Sequence, residues 1–284
     1  QWHITSAAAL MSLRGNATFV FGTAVGGFIA RSFGVAYAYG LDLFSYLVSF
    51  LLLRQITSRG RMSDEQSLPG LSSFGDGIRY AWQRKDLLGT YAIDTTAMIF
   101  AFPTAVFPFV AEKYQAPWAL GLLFAAPAVG AGIASLTSGW TSHVNKHGRA
   151  IFFAAITYGV TIALFGLSPT LICALTFLAL SGAADMVSGV FRQAIWNMSI
   201  PDEIRGRLAG IELMSYAIGP QLGNARVSLG AQWKGLTTSI ATGGILCVAG
   251  VFGLALALPS LWNYDVRTSI DVAQVRNERE SRPH

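Results

Sequence analysis

The sequence predicts an all-α integral membrane protein, a bundle of eight transmembrane helices. First, of 284 residues 52% are hydrophobic and only 12% are charged, about half the charged share of an ordinary soluble domain, so most of the surface is not built to face water. Second, the stretches Tyr114 to Asn145, Ala150 to Ala184 and Gly235 to Tyr264 contain no Asp, Glu, Lys or Arg, and each exceeds the roughly 20 residues that cross the hydrocarbon. These runs are continuously apolar rather than alternating, which excludes a β-barrel and leaves helices as the way to satisfy backbone polar groups in lipid. Third, the basic residues are lopsided. Arg54, Arg59, Arg61, Arg79, Arg84, Lys85, Lys146, Arg149, Arg205, Arg207, Arg267, Arg276, Arg279 and Arg282 fall on one side of the predicted spans, against Arg31, Lys113 and Lys234 on the other. Lys and Arg are retained in the cytoplasm during insertion, so both ends of the chain are predicted to be cytoplasmic.

Residues 1–54 carry the first two spans, at 6–30 and 34–54. Residues 55–86 are a cytoplasmic linker. Its Ser67-Leu-Pro-Gly70 breaks the chain, after which Phe74, Ile78 and Trp82 recur every four residues opposite Asp76, Arg79 and Gln83, the pattern of an amphipathic helix lying in the membrane interface. Residues 87–259 hold six further spans, at 87–111, 117–139, 150–167, 170–196, 208–231 and 235–259, and residues 260–284 form a cytoplasmic tail. Before the seventh span, Ser199-Ile-Pro-Asp202 reads as a helix start with Pro in the first turn and an acidic group at its positive end. Arg205 and Arg207 then anchor that loop, with Gly206 between them.

Several functional classes fall away on composition. The net charge of +5 follows from cytoplasmic retention of basic residues, so no nucleic-acid partner is expected. Cys173 and Cys247 lie inside apolar runs as small buried hydrophobes. His143 and His147 have i, i+4 spacing but no third ligand nearby. They read as solvated loop residues, and neither metal nor cofactor is expected. An integral-membrane enzyme would need a nucleophile, base or metal ligands clustered at one depth. The deep ionisable groups here are scattered, which disfavours an enzyme.

Two related boxes stand 197 positions apart: Gly22-Thr-Ala-Val-Gly26-Gly27 in the first span and Gly219-Pro220-Gln-Leu-Gly223-Asn224 in the seventh. Glycines four apart let a neighbouring backbone approach closely, and Pro220 bends its helix by removing a ladder bond. Related boxes in two halves of a chain are what internally duplicated transporters show. On these boxes the chain resembles the major facilitator superfamily. The run from Gly121 to Gly139, the loop Ile200-Pro-Asp-Glu-Ile-Arg-Gly-Arg207 and the run from Asp94 to Pro108 resemble its enterobactin- or siderophore-exporter-like and multidrug-efflux branches. The signature loop between spans eight and nine survives only as Gly139, His143 and Gly148-Arg149, without its Asp and Arg.

The resemblance implies that the eight helices are spans five to twelve: the last two of an N-terminal bundle, then a complete C-terminal six-helix bundle, with the linker as the hinge between halves. It further implies a multi-pass protein of the bacterial inner membrane and a small-molecule substrate. Spans seven and ten of that fold border the central cavity.

A charge near the bilayer centre costs at least ~2.5 kcal/mol on insertion scales, so each one needs a partner, a wet cavity or a function. Asp94 lies roughly 10 Å into the third helix on a face shared with Met98 and Phe102. Asp185 lies near mid-depth in the sixth. Both are candidate proton carriers, with Met98, Phe102 and Phe124 as apolar cavity wall. Arg192 and Glu212, at similar depths in consecutive helices, are expected to pair. Arg14, about 13 Å deep in the first helix, is placed to meet an anionic substrate or the absent spans, and Asp42 is given a structural role.

The leading expectation is therefore a proton-coupled exporter of an amphipathic small molecule, rocking two bundles about a midplane site. The alternative is a truncated, non-transporting fragment that needs a partner, such as the absent N-terminal spans. An antibody to residues 263–284 separates the two. A native species near 30.4 kDa marks the fragment, whereas one about half as large again restores the four spans.

Overall fold

The computed structural model describes residues 22, 25, 26, 29, 33–55, 84–200 and 202–266. They fall in two units, Gln1–Leu68 and Pro69–His284.

In the first unit, α1 (Val35–Gln55) follows Gly34, whose φ of 94° suits a residue without Cβ. Its side chains are exposed on all sides, Tyr37, Phe44 and Leu51 among them, as suits a helix solvated by lipid rather than water. The described residues of the first span are helical. Gly22, Val25, Gly26 and Ile29 line an open groove with Tyr39, Leu41, Asp42 and Ser45 of α1.

The second unit is all helix: α2 (Lys85–Ala101), a 3-10 turn (Thr104–Val106), α3 (Phe107–Lys113), a 3-10 turn (Pro117–Ala119) leading into α4 (Leu120–Leu136), a 3-10 segment (Ser138–His143), α5 (His147–Leu167), α6 (Leu171–Ser199), α7 (Asp202–Lys234), α8 (Leu236–Ala257) and a final turn α9 (Pro259–Trp262). The central helix is α5, packed between α6 and α8; α4 lies on the far side of α6, and α2 packs on α7 and α8. Fully buried Phe107, Ile151, Phe152, Phe165, Leu178, Phe191 and Val251 fill the space between them.

Small residues set how closely these helices approach. A Cβ on Gly130 would strike the backbone of Ala179, and one on Gly182 the backbone of Pro127, so α4 and α6 touch main chain to main chain. Gly159 and Gly244 do the same for α5 and α8. Lipid is as apolar as leucine, so close packing of this kind, rather than exclusion of water, holds spans together.

Several expectations shift. Among the described residues five segments are long and apolar enough to cross a membrane: Lys85–Lys113, Pro117–Leu136, His147–Leu167, Leu171–Ser199 and Leu236–Ala257. The apolar part of α1, Ala36–Leu52, is shorter. α7 has the length, but Gln221, Asn224 and Arg226 dilute its apolarity. The third predicted span is not one continuous helix: Pro103, without an N–H, breaks it after Ala101. α7 starts at Asp202 rather than 208, because the helix-start signals at Pro201-Asp202 take effect at once. His147 is not a solvated loop residue. It opens α5, only 7% exposed, with its ring 5.1 Å from that of Phe191. Most of the linker and the tail beyond 266 lie outside the described residues.

The seam between α4 and α6 yields a direct test. Gly182→Val, which forces a side chain into the Pro127 backbone, should cost about 3 kcal/mol by overpacking, read as a lowered Tm in detergent. Gly121→Val, where a Cβ meets nothing within 4 Å, should leave Tm near that of the parent.

Candidate functional site

The site is built by three helices. Asp185 and Arg192 stand seven residues apart on α6, two turns along one face, so the long guanidinium side chain can reach back toward the carboxylate. α2 brings Asp94 to the same guanidinium from across the interface. Arg192 forms ion pairs with both, directly with Asp94 through Nη1 and with Asp185 through Nη2 at 3.7 Å. The two carboxylates differ in access: the side chain of Asp94 is 7% exposed and that of Asp185 is 45% exposed. One guanidinium thus serves an enclosed carboxylate and an accessible one, leaving the cluster one negative charge in excess when both are ionised.

A polar and aromatic collar supports the pair. Thr90, one turn before Asp94, donates from Oγ1 to the Leu87 carbonyl at 2.7 Å and accepts from Trp196 Nε1 at 2.9 Å. The indole of Trp196 lies 4.4 Å from the ring of Tyr91, centroid to centroid. With Gln193 and Tyr216 these residues line a cavity of about 10 Å³ beside Asp94 and Arg192, room for about one water molecule. At the neighbouring end of α2, Arg84 binds Asp86 at 2.7 Å and donates to the Ser199 carbonyl at 3.5 Å, tying the start of α2 to the end of α6.

Among the described residues Arg192 pairs with Asp94 and Asp185, its side chain crossing to α2. The expected partner Glu212 lies on α7 with its side chain outside the described residues. Met98 and Phe102 fill the seam between α2 and α7, where Gly219 and Gly223 would carry Cβ atoms into them. Phe124 sits with its ring 5.0 Å from that of Phe107, in the bundle interior. These three therefore pack helix against helix instead of facing an open cavity within this unit. Pro220 lies inside α7 between Gly219 and Gly223. Gly22 and Gly26 have nothing within 4 Å of a hypothetical Cβ. Arg14 and Gly27 lie outside the described residues. Asp202, Arg205, Gly206 and Arg207 lie in the opening turns of α7, their side chains also outside them.

Thr90, Tyr91 and Trp196 were not foreseen; their only signal was helical spacing from Asp94 and Arg192, one turn away in each case. Arg226 was missed too, although a lone arginine in an apolar stretch is itself a signal; it donates from Nη2 to the Ser239 carbonyl at 2.9 Å. Among the described residues no group of three or more His, Cys, Asp or Glu could hold a metal ion.

A cluster of paired charges held inside a bundle of apolar helices is the equipment of a membrane transporter. The chain belongs to the transmembrane secretion effector family of the major facilitator superfamily, whose pattern matches residues 1–279. It is 28% identical over 265 residues to the enterobactin exporter EntS of Escherichia coli K12, covering 92% of this chain and 63% of that protein. Against the enterobactin exporter EntS of Shigella boydii serotype 18 it is 28% identical over 262 residues, covering 91% and 62%. The family and these relatives are transporters, not enzymes. The chain spans less than two thirds of the length of these relatives. No solved structure matches it.

Removing Arg192 leaves buried Asp94 without its counter-ion, at a cost of about 3–5 kcal/mol. Arg192→Met should therefore lower Tm sharply, and Arg192→Met combined with Asp94→Leu should recover most of the loss, since Asp185 is the accessible carboxylate. A double variant no more stable than the single one would show that the pair is not what holds α2 to α6.

Proposed function

We propose that this chain is part of a proton-coupled exporter of an amphipathic small molecule, such as a siderophore or drug, in the bacterial inner membrane. The observation that carries the reading is the unequal sharing of Arg192 between enclosed Asp94 and accessible Asp185. Asp94 is the standing counter-ion that lets the guanidinium remain at depth. Asp185 is the group with access, and so the one that takes up and releases a proton. Protonated, it leaves Arg192 balanced by Asp94 alone and the cluster neutral. Deprotonated, it adds a negative charge that draws on the same guanidinium. A change of charge in a medium of low dielectric biases one arrangement of packed helices over another, which is what coupling to alternating access requires. The substrate class is proposed by likeness to the enterobactin exporters, and fold alone does not fix it.

The test is efflux from proteoliposomes of the complete protein under an imposed pH gradient. Asp185→Asn should insert and fold as the parent does yet lose gradient-driven efflux down to the level of empty vesicles. Asp94→Asn should also lose coupling, because Asp185 is then claimed permanently by Arg192. Wild-type efflux in Asp185→Asn removes that carboxylate from the mechanism.

A further inference from the structure

The segment Lys85–Lys113 crosses as a broken helix. α2 ends at Ala101; Phe102 is extended, with φ −106° and ψ 96°, and Pro103 follows. A 3-10 turn, Thr104–Val106, then leads into α3, which has Pro108 in its first turn. Inside a membrane the backbone groups freed by such a break have no water to turn to and are satisfied by neighbouring protein. Here two helices supply them. From α5, the Tyr158 hydroxyl donates to the Ala101 carbonyl at 3.0 Å. From α7, Asn224 Oδ1 accepts from the Ala105 N–H and from the Thr104 hydroxyl, each at 2.9 Å.

Asn224 is no isolated polar residue. It closes the box Gly219-Pro220-Gln221-Leu222-Gly223-Asn224. In that box Gly219 and Gly223 let α7 lie against Met98 and Phe102, and Pro220, one turn earlier, removes a rung of the helix ladder. The proline position in α7 and the broken place in the third span are therefore linked through one side chain, four residues on from Pro220. The far end of α3 is held separately: Lys113 Nζ donates to Thr237 Oγ1 at 3.1 Å, and the neighbouring Tyr114 hydroxyl to the Ser168 carbonyl at 2.7 Å.

We propose that Asn224 is a positioning residue: its carboxamide oxygen latches the Thr104–Val106 turn to α7, so that bending of α7 at Pro220 moves the distal half of the broken span. Discontinuous helices in transporters are where the path is shaped. A latch made of two hydrogen bonds to one oxygen is strong enough to set register and weak enough to release within a cycle. The proposal rests on the transporter reading for its purpose, though not for its geometry.

The experiment uses the complete protein in proteoliposomes, with Cys173→Ala and Cys247→Ala and a reporter thiol from Val106→Cys, a position only 1% exposed. Two readouts are taken: the rate at which a maleimide labels that thiol, and the kcat and KM of efflux. Asn224→Leu should raise the labelling rate roughly twentyfold, the scale of two net hydrogen bonds. It should lower kcat with KM unchanged, while membrane insertion stays at the parent level. Asn224→Asp, which keeps the accepting oxygen, should return both readouts toward the parent. Thr104→Val removes one of the two donors and should raise labelling by a smaller factor; it decides the matter where Asn224→Leu does not accumulate. Labelling unchanged in Asn224→Leu, or in Thr104→Val where that variant stands in, overturns the latch, as does Asn224→Asp behaving like Asn224→Leu. Labelling needs neither substrate nor proton gradient, so a failure of proton coupling leaves its outcome readable.

Discussion

A guanidinium inside a bundle of apolar helices has to be answered by charge from within the protein, and the arrangement around Arg192 follows from that need. α2 is brought to α6 at the point where Asp94 meets it, and Thr90, Tyr91 and Trp196 close the surroundings so that the pair is sheltered. Such a pair adds little net stability, since desolvating two ions offsets most of their attraction. Its consequence is specificity: α2 and α6 have one favourable register, the one that leaves no charge alone.

The same constraint acts on the backbone. Where Pro103 breaks the third span, the Ala101 carbonyl finds Tyr158 and the Ala105 amide finds Asn224. Where Arg226 enters α7, the Ser239 carbonyl receives it, and the Ser239 hydroxyl in turn donates to the Val227 carbonyl at 2.8 Å. The first of these links joins α5 to α2 and the others join α7 to the turn after Pro103 and to α8, while the contacts of α5 with α8, of α4 with α6 and of α7 with α2 run through glycines. The unit thus combines close packing through glycines with hydrogen bonds that satisfy the polar groups of α7 and of the broken third span.

Much of this was legible in the chain. The charge-free runs became α4, α5, α6 and α8 within a few residues of their expected ends, because twenty apolar residues in lipid have few alternatives to a helix. Asp94, Asp185 and Arg192 stood out as charges among apolar neighbours, which needs no knowledge of the fold, and the structure brings the three together. The glycines at 219 and 223 were recognisable as a close-approach box from their spacing. What they approach, Met98 and Phe102, was not legible, because spacing along one helix says which face a residue occupies and not what that face meets.

The sequence by itself determined the class of protein, the helices and the identity of the buried charges, all of which depend on local hydrophobicity and on spacing along one segment. Only the tertiary structure decided the partners: that Arg192 answers to Asp94 and Asp185, that His147 is a core residue, and that Asn224 accepts from the turn after Pro103. These contacts join residues far apart in the chain: Arg192 with Asp94, 98 positions apart, and Asn224 with Ala105, 119 apart. No local pattern encodes them, because each depends on the rotation and depth at which one packed helix meets another.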